Sequence, residues 1–194
     1  MTENELRWAV AAIIFALGVY MAARSALLRR SGVPVNQLAA RGNLAQRAII
    51  GLGVLFGGYL LARAPFPALD YWTATQASPA PFAAIAVLLA GGVIIIAAQG
   101  GMGRSWRVGV PAGEGDVEKL VTKGLNRISR NPTYLGIMVF LIGTGLAAPG
   151  PLTLAAIVLS FAALSFIISR EEKYLKEKFG ADYDAYARRV RRWI

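Results

Sequence analysis

Lys119-Leu-Val-Thr-Lys-Gly-Leu-Asn-Arg-Ile-Ser-Arg-Asn-Pro-Thr-Tyr-Leu-Gly136 is a basic stretch, punctuated by Gly and Pro, that runs straight into an apolar segment. Proline has no N–H to lose in the first turn of a helix, and it biases the residue before it away from helical backbone. Pro132 is therefore expected to open a helix, with Asn131 at its N-cap and Arg130 and Tyr134 at its mouth. An Arg and a Tyr at the edge of an apolar run suit a membrane interface, where Arg snorkels and Tyr sits at headgroup level. A plain interfacial anchor and a binding element both fit this segment alone.

Outward from it, the chain reads as membrane-embedded. Hydrophobic residues make up 56% of it and mean hydropathy is +0.49, with the apolar residues gathered into long runs. Apolar spans are expected at Trp8–Leu28, Ala48–Ala62, Phe82–Ala98, Tyr134–Ala147 and Leu152–Ile168. Gly51, Gly53, Gly57 and Gly58 in the second span are the small residues that let a neighbouring helix approach. Between spans lie a polar connector (Ser31–Arg47), an aromatic turn (Pro65–Trp72), a loop with Pro111, Gly113 and Gly115, and the tight turn Ala148-Pro-Gly-Pro151. That last turn makes the fourth and fifth spans a helical hairpin. Arg24, Arg29 and Arg30 follow the first apolar run, as in a retained anchor and not an export signal.

Charge orients the spans. With the N-terminus outside, 19 of the 21 Lys and Arg residues fall on the inner side, leaving Arg7 and Arg63 outside. The expected fold is an all-α integral membrane protein with five transmembrane helices, N-out and C-in. Residues 1–81 supply two N-terminal spans, and 82–194 form a core closed by a C-terminal amphipathic cytoplasmic helix. In the tail, Tyr174, Leu175, Phe179, Tyr183, Tyr186 and Val190 recur at helical spacing, and Gly180 is a break. Arg188, Arg189, Arg191 and Arg192 favour anionic headgroups. The net charge of +10 belongs to this topology and implies no nucleic-acid partner. The chain has no Cys and no His, so a thiolate metal site, a thiol nucleophile and an imidazole base are excluded, and no metal is expected.

Because the last three spans alternate in direction, three segments meet at the inner face: Gln99-Gly-Gly-Met-Gly103, Arg130-Asn-Pro-Thr-Tyr134 and Glu171-Glu172. Glycines admit close backbone approach and can expose N–H groups to an anion, although Gly-x-Gly is also ordinary packing. Adjacent carboxylates at a membrane boundary need partners. Lys173, Lys176 and Arg170 along the tail are the simplest, and a bound cation is the alternative. Arg130 suits an anionic headgroup or a substrate carboxylate equally.

Taken jointly, Arg130-Asn-Pro-x-Tyr134-x-Gly136 and Glu171-Glu172-x-x-Leu175-x-x-x-Phe179-Gly180-x-x-Tyr183-x-x-Tyr186 resemble the isoprenylcysteine carboxyl methyltransferase and phospholipid methyltransferase superfamily over residues 99–190. The resemblance implies an integral membrane methyltransferase that uses S-adenosylmethionine and releases S-adenosylhomocysteine. It places the cofactor at Gln99, Gly101, Gly103, Asn131, Pro132, Tyr134, Glu171 and Glu172, with Arg130 to Tyr134 also closing the pocket and facing the acceptor. Arg130 and Glu172 are the candidate catalytic residues. Asn131 stands where the family often has His, so no imidazole base acts here. The implied acceptor is lipophilic: a prenylcysteine-type carboxylate, an isoprenoid or a lipid headgroup, reached from the bilayer. The implied location is a prokaryotic inner or plasma membrane, with the active site on the cytoplasmic face. Two other readings fit parts of the pattern. A lipid-binding scaffold or small transporter is opposed by span centres without charges. A related membrane reductase using a nicotinamide cofactor is less suited to a Glu-Glu pair.

Overall fold

The structure is a computed structural model that describes residues 1–32, 44–106 and 119–194. Most of the polar connector, Arg107 and the loop holding Pro111, Gly113 and Gly115 lie outside the described residues. Among the described residues six α-helices follow in order: α1 (Glu3–Arg30), α2 (Leu44–Ala62), α3 (Leu69–Trp72), α4 (Pro81–Met102), α5 (Pro132–Ala147) and α6 (Pro151–Arg189). Short 3-10 turns occupy Gly103–Ser105 and Gly124–Arg127, and no strand occurs among the described residues. Among the described residues three helices, α1, α4 and α6, are long and apolar enough to cross a membrane. The apolar part of α2, Ile50–Ala62, and α5 are shorter.

Prolines at the first helical turn start α4, α5 and α6, where the missing N–H costs nothing. α1 begins earlier than its apolar run because Thr2 and Glu5 form a reciprocal capping box. The Glu5 N–H donates to Thr2 Oγ1 (3.2 Å) and the Thr2 N–H to Glu5 Oε2 (2.8 Å). Asn131 holds the N-cap position of α5 as expected, but its side chain makes no cap hydrogen bond. It is drawn instead to the Glu172 carboxylate and the Arg192 carbonyl.

α4 and α5 form the most intimate pair. A Cβ on Gly91 would lie 2.5 Å from the Phe140 backbone N, and one on Gly143 would lie 2.7 Å from that of Leu88. This corrects the expectation placed on the α2 glycines, since a Cβ on Gly51, Gly53, Gly57 or Gly58 would meet nothing within 4 Å. Close approach is decided by which face meets a partner, and α2 stands off along most of its length: Leu52, Val54 and Leu55 are all well exposed. Among its described residues it seats at its end, where Leu60 and, just beyond the helix, Arg63 and Ala64 are buried. The core joins Leu6 and Val10 of α1 to Ala84 and Leu88 of α4 and Ala147 of α5.

Polar groups gather at the two ends of the bundle. At one end, Asp70 accepts from Arg7 (2.6 and 2.9 Å) and from Arg63, whose side chain is almost wholly buried. Burial would raise the Asp70 carboxyl, but hydrogen bonds and charge from the two guanidinium groups outweigh it and hold the group below its usual range. The other end carries the residues singled out above.

Candidate functional site

The C-terminal end of α4 is reached at Gly103, whose φ of +53° favours glycine and turns the chain out of the helix. Its N–H remains bonded to Gln99 and Gly100, so it is not offered to a ligand. Arg24 of α1 reaches across and donates to the Gln99 carbonyl (2.6 Å) and the Gly103 carbonyl (3.4 Å). A guanidinium thus meets the negative end of α4. One turn inside, Gln99 is fully buried. Its Nε2 donates to the Met21 sulfur at 3.0 Å, and its Oε1 has no hydrogen-bond partner among the described residues.

Facing it, the start of α5 is tied to α6 and to the C-terminus. Gly180, at φ +50°, breaks the long helix, and Tyr183 and Tyr186 beyond the break are buried. The Tyr186 hydroxyl donates to the Asn126 carbonyl at 2.7 Å. The last residues then lie along the segment before Pro132. The Arg130 N–H donates to the Arg191 carbonyl (2.9 Å), and Ser129 Oγ and Asn131 Nδ2 both donate to the Arg192 carbonyl (3.2 Å each).

Glu172 sits at the centre of this closure. Its Oε1 accepts from Arg130 (3.0 and 3.1 Å) and Asn131 (3.3 Å), while its Oε2 accepts from Arg192 (2.6 and 3.1 Å). Arg130 also donates through Nη1 to the carbonyls of Ala187 and Val190. Of the tail cations expected to pair with the glutamates, Lys173 lies 3.8 Å from Glu177, Lys176 lies 3.1 Å from Asp184, and Arg170 sits over the Phe166 ring. Glu171, one residue earlier on the helix, accepts instead from the Tyr134 hydroxyl at 2.6 Å.

These groups border a cavity of about 760 Å³. Of the residues anticipated from sequence, Gln99, Arg130, Asn131, Pro132, Tyr134 and Glu171 line it, and Gly101, Gly103 and Glu172 do not. A Cβ at Gly101 or Gly103 would meet nothing within 4 Å, so both leave open space beside the end of α4. Sequence reasoning missed Met21, Trp106, Asn126 and Arg192. Arg192 was hidden in a run of arginines, and its pairing with Glu172 depends on the bend at Gly180. Beyond the polar end, the cavity wall is apolar and comes from all five long helices. A buried acceptor and a carboxylate at one end of an apolar chamber fit a ligand that carries donors and positive charge there. These acceptors therefore fit a sulfonium cofactor that carries an amino group.

The phospholipid methyltransferase family profile matches residues 80–182, more than half of the chain. A probable protein-S-isoprenylcysteine O-methyltransferase of Oryza sativa subsp. indica is 26% identical over 185 residues, covering 94% of this chain and 91% of that relative. Protein-S-isoprenylcysteine O-methyltransferase B of Arabidopsis thaliana is 39% identical over 75 residues, 37% of each chain. The Saccharomyces cerevisiae protein-S-isoprenylcysteine O-methyltransferase is 40% identical over 74 residues, 37% of this chain and 30% of the relative. No solved structure matches.

Proposed function

We propose that this chain, which belongs to the phospholipid methyltransferase family, is an S-adenosylmethionine-dependent methyltransferase. It crosses the membrane five times, N-out and C-in, and methylates a lipophilic acceptor at the cytoplasmic face of a prokaryotic plasma membrane. The observation that carries the reading is a cavity with a polar end at Gln99, Tyr134 and Glu171 and an apolar body reaching into the bundle. S-adenosylmethionine supplies an electrophilic methyl group on a sulfonium centre. Gln99 Oε1, buried without a donor among the described residues, is the acceptor for an amino group of the cofactor. Glu171, held by Tyr134, sets negative charge beside the positive ligand. Gly101 and Gly103 leave room for the cofactor at the end of α4.

Arg130 is held by Glu172 and two tail carbonyls, so its guanidinium is fixed at the cavity wall without a search of rotamers. It orients an anionic acceptor head, and Glu172 and Asn131 act through it as positioning residues. The chain has no imidazole to act as a base, and an acceptor that is already nucleophilic on arrival needs none. A carboxylate meets that condition and matches the O-methyltransferase names of the relatives. Catalysis then rests on alignment and electrostatics.

Calorimetry on the purified protein in detergent tests the reading. S-adenosylhomocysteine should bind with affinity on the order of micromolar, about −8 kcal/mol. Gln99→Leu should lower that affinity by about 1–1.5 kcal/mol while the cofactor-free protein melts no lower, because an unsatisfied buried acceptor has been removed. Arg130→Lys should retain cofactor binding and lose turnover, since Lys keeps the charge without the planar fork. No binding of either sulfur cofactor, with a nicotinamide cofactor raising the melting temperature instead, refutes the proposal.

A further inference from the structure

The first helix carries none of the motifs read above, yet one stripe of it reaches the cavity. Ile14, Leu17, Met21, Arg24 and Leu28 follow at intervals of three and four residues, which puts them on one face of α1. Ile14, Leu17 and Met21 line the cavity, and Leu28 packs with Met21 and Met102 against the buried Trp106. Arg24 is the charged member of the stripe. An Arg near the end of a membrane helix ordinarily extends its head into water. This one turns to α4: its Nη2 donates to the carbonyls of Gln99 (2.6 Å) and Gly103 (3.4 Å), and the guanidinium lies 5.9 Å from the centre of the Trp106 ring. Its Nε is buried without a hydrogen-bond partner among the described residues, a cost that a simple surface anchor does not carry.

Met21 and Arg24, one turn apart, hold Gln99 by two different groups. Arg24 takes the backbone carbonyl, and the Met21 sulfur accepts from the side-chain Nε2 at 3.0 Å. A thioether accepts a hydrogen bond and has none to donate, so it selects the amide's N–H end and leaves Oε1 turned away from it. The Gly103 carbonyl that Arg24 grips also accepts from the Trp106 N–H (3.4 Å). The same guanidinium therefore holds the turn that brings Trp106 to the cavity wall. We infer that Met21 and Arg24 are positioning residues of the cofactor site, acting through Gln99, and that α1 is thereby a working part of that site. The inference rests on the methyltransferase reading for the ligand that Gln99 meets. The hold of Arg24 on the end of α4 is testable without any ligand.

The test is titration of S-adenosylhomocysteine into the full-length protein in detergent. Arg24→Met keeps an apolar stem and removes the donors, and it should weaken binding about tenfold. Arg24→Lys can still donate to carbonyls at a helix end and should bind within about threefold of the unmodified protein. Met21→Leu fills similar space without an acceptor and should weaken binding about threefold, which keeps the inference falsifiable if Arg24→Met does not fold. Placed on Gln99→Leu, neither change should weaken binding further, because both act through that side chain. Arg29→Met, exposed on the same helix, should bind as the unmodified protein does. In a protein carrying Trp8→Phe, Trp72→Phe and Trp193→Phe, Trp106 is the remaining tryptophan. Arg24→Met should shift its emission to longer wavelength, and Arg24→Lys should not. Unweakened binding in Arg24→Met and Met21→Leu, a loss just as large on Gln99→Leu, or an unshifted Trp106 emission in Arg24→Met overturns the inference. If the unmodified protein binds no S-adenosylhomocysteine, the methyltransferase reading falls, and the Trp106 emission alone decides whether Arg24 holds the end of α4.

Discussion

Replacing Glu172 by Gln keeps the side chain's size and removes the charge at the point where α5, α6 and the C-terminus meet. The Arg130 and Glu172 side chains are 16% and 12% exposed, so their pair sits largely out of water. Breaking a fully buried pair by deleting one charge costs about 3–5 kcal/mol; the residual exposure here reduces that to about 2 kcal/mol. Arg192 is 40% exposed, and solvent screening limits its pair with Glu172 to about 1 kcal/mol or less. The sum, about 3 kcal/mol, corresponds to a melting temperature lower by about 6–12 °C for a chain of this size. The measurement is thermal unfolding of the cofactor-free protein in detergent, with Arg192→Ala and the double variant completing a cycle. The double variant should cost less than the two single changes added, because both act on the same contact. A Glu172→Gln variant that melts within about 1 °C of the unmodified protein, yet no longer binds S-adenosylhomocysteine, would refute the clamp. Glu172 would then be a cofactor ligand, the role its motif suggests.

Three further outcomes follow from the same physics. A topology reporter fused after Ile194 should read cytoplasmic and one beside Asp70 should read external; a cytoplasmic Asp70 would invert the proposed site. Gly91→Ala should destabilise by about 1–3 kcal/mol because its Cβ would collide with the Phe140 backbone. Gly58→Ala, in open space on α2, should instead raise stability by up to about 1 kcal/mol, and equal melting temperatures would argue against the α4–α5 packing. Asp70 is held below its ordinary value, so the stability it contributes is fully present above the unfolded pKa of 3.8 and is lost as pH falls through the lower folded value. Against Asp70→Asn, the unmodified protein should therefore lose melting temperature selectively below about pH 4. Parallel curves for the two proteins would show that the two arginines do not stabilise the carboxylate.

The helices were legible because apolar runs and opening prolines are local signals. Pro81, Pro132 and Pro151 each mark a helix start within a residue or two of the expected span. Glycine packing was not legible, because a glycine reports only that its own face is small. Gly91 and Gly143 meet backbone, whereas Gly53 and Gly57 meet open space, and the difference lies in the neighbouring helix. The same limit governs the site. Adjacent residues on an α-helix point about 100° apart, so a Glu-Glu pair cannot present both carboxylates to one ligand with equal ease. Here Glu171 turns to Tyr134 at the cavity wall and Glu172 turns to Arg130 and Arg192. What assigns them is the tail beyond Gly180. Beyond the kink at that glycine, the carbonyls of Ala187, Val190, Arg191 and Arg192 accept from Ser129, Arg130 and Asn131, and Arg192 pairs with Glu172. One carboxylate of the pair is thereby paired with two arginines, and the other stays at the cavity wall, bonded to Tyr134.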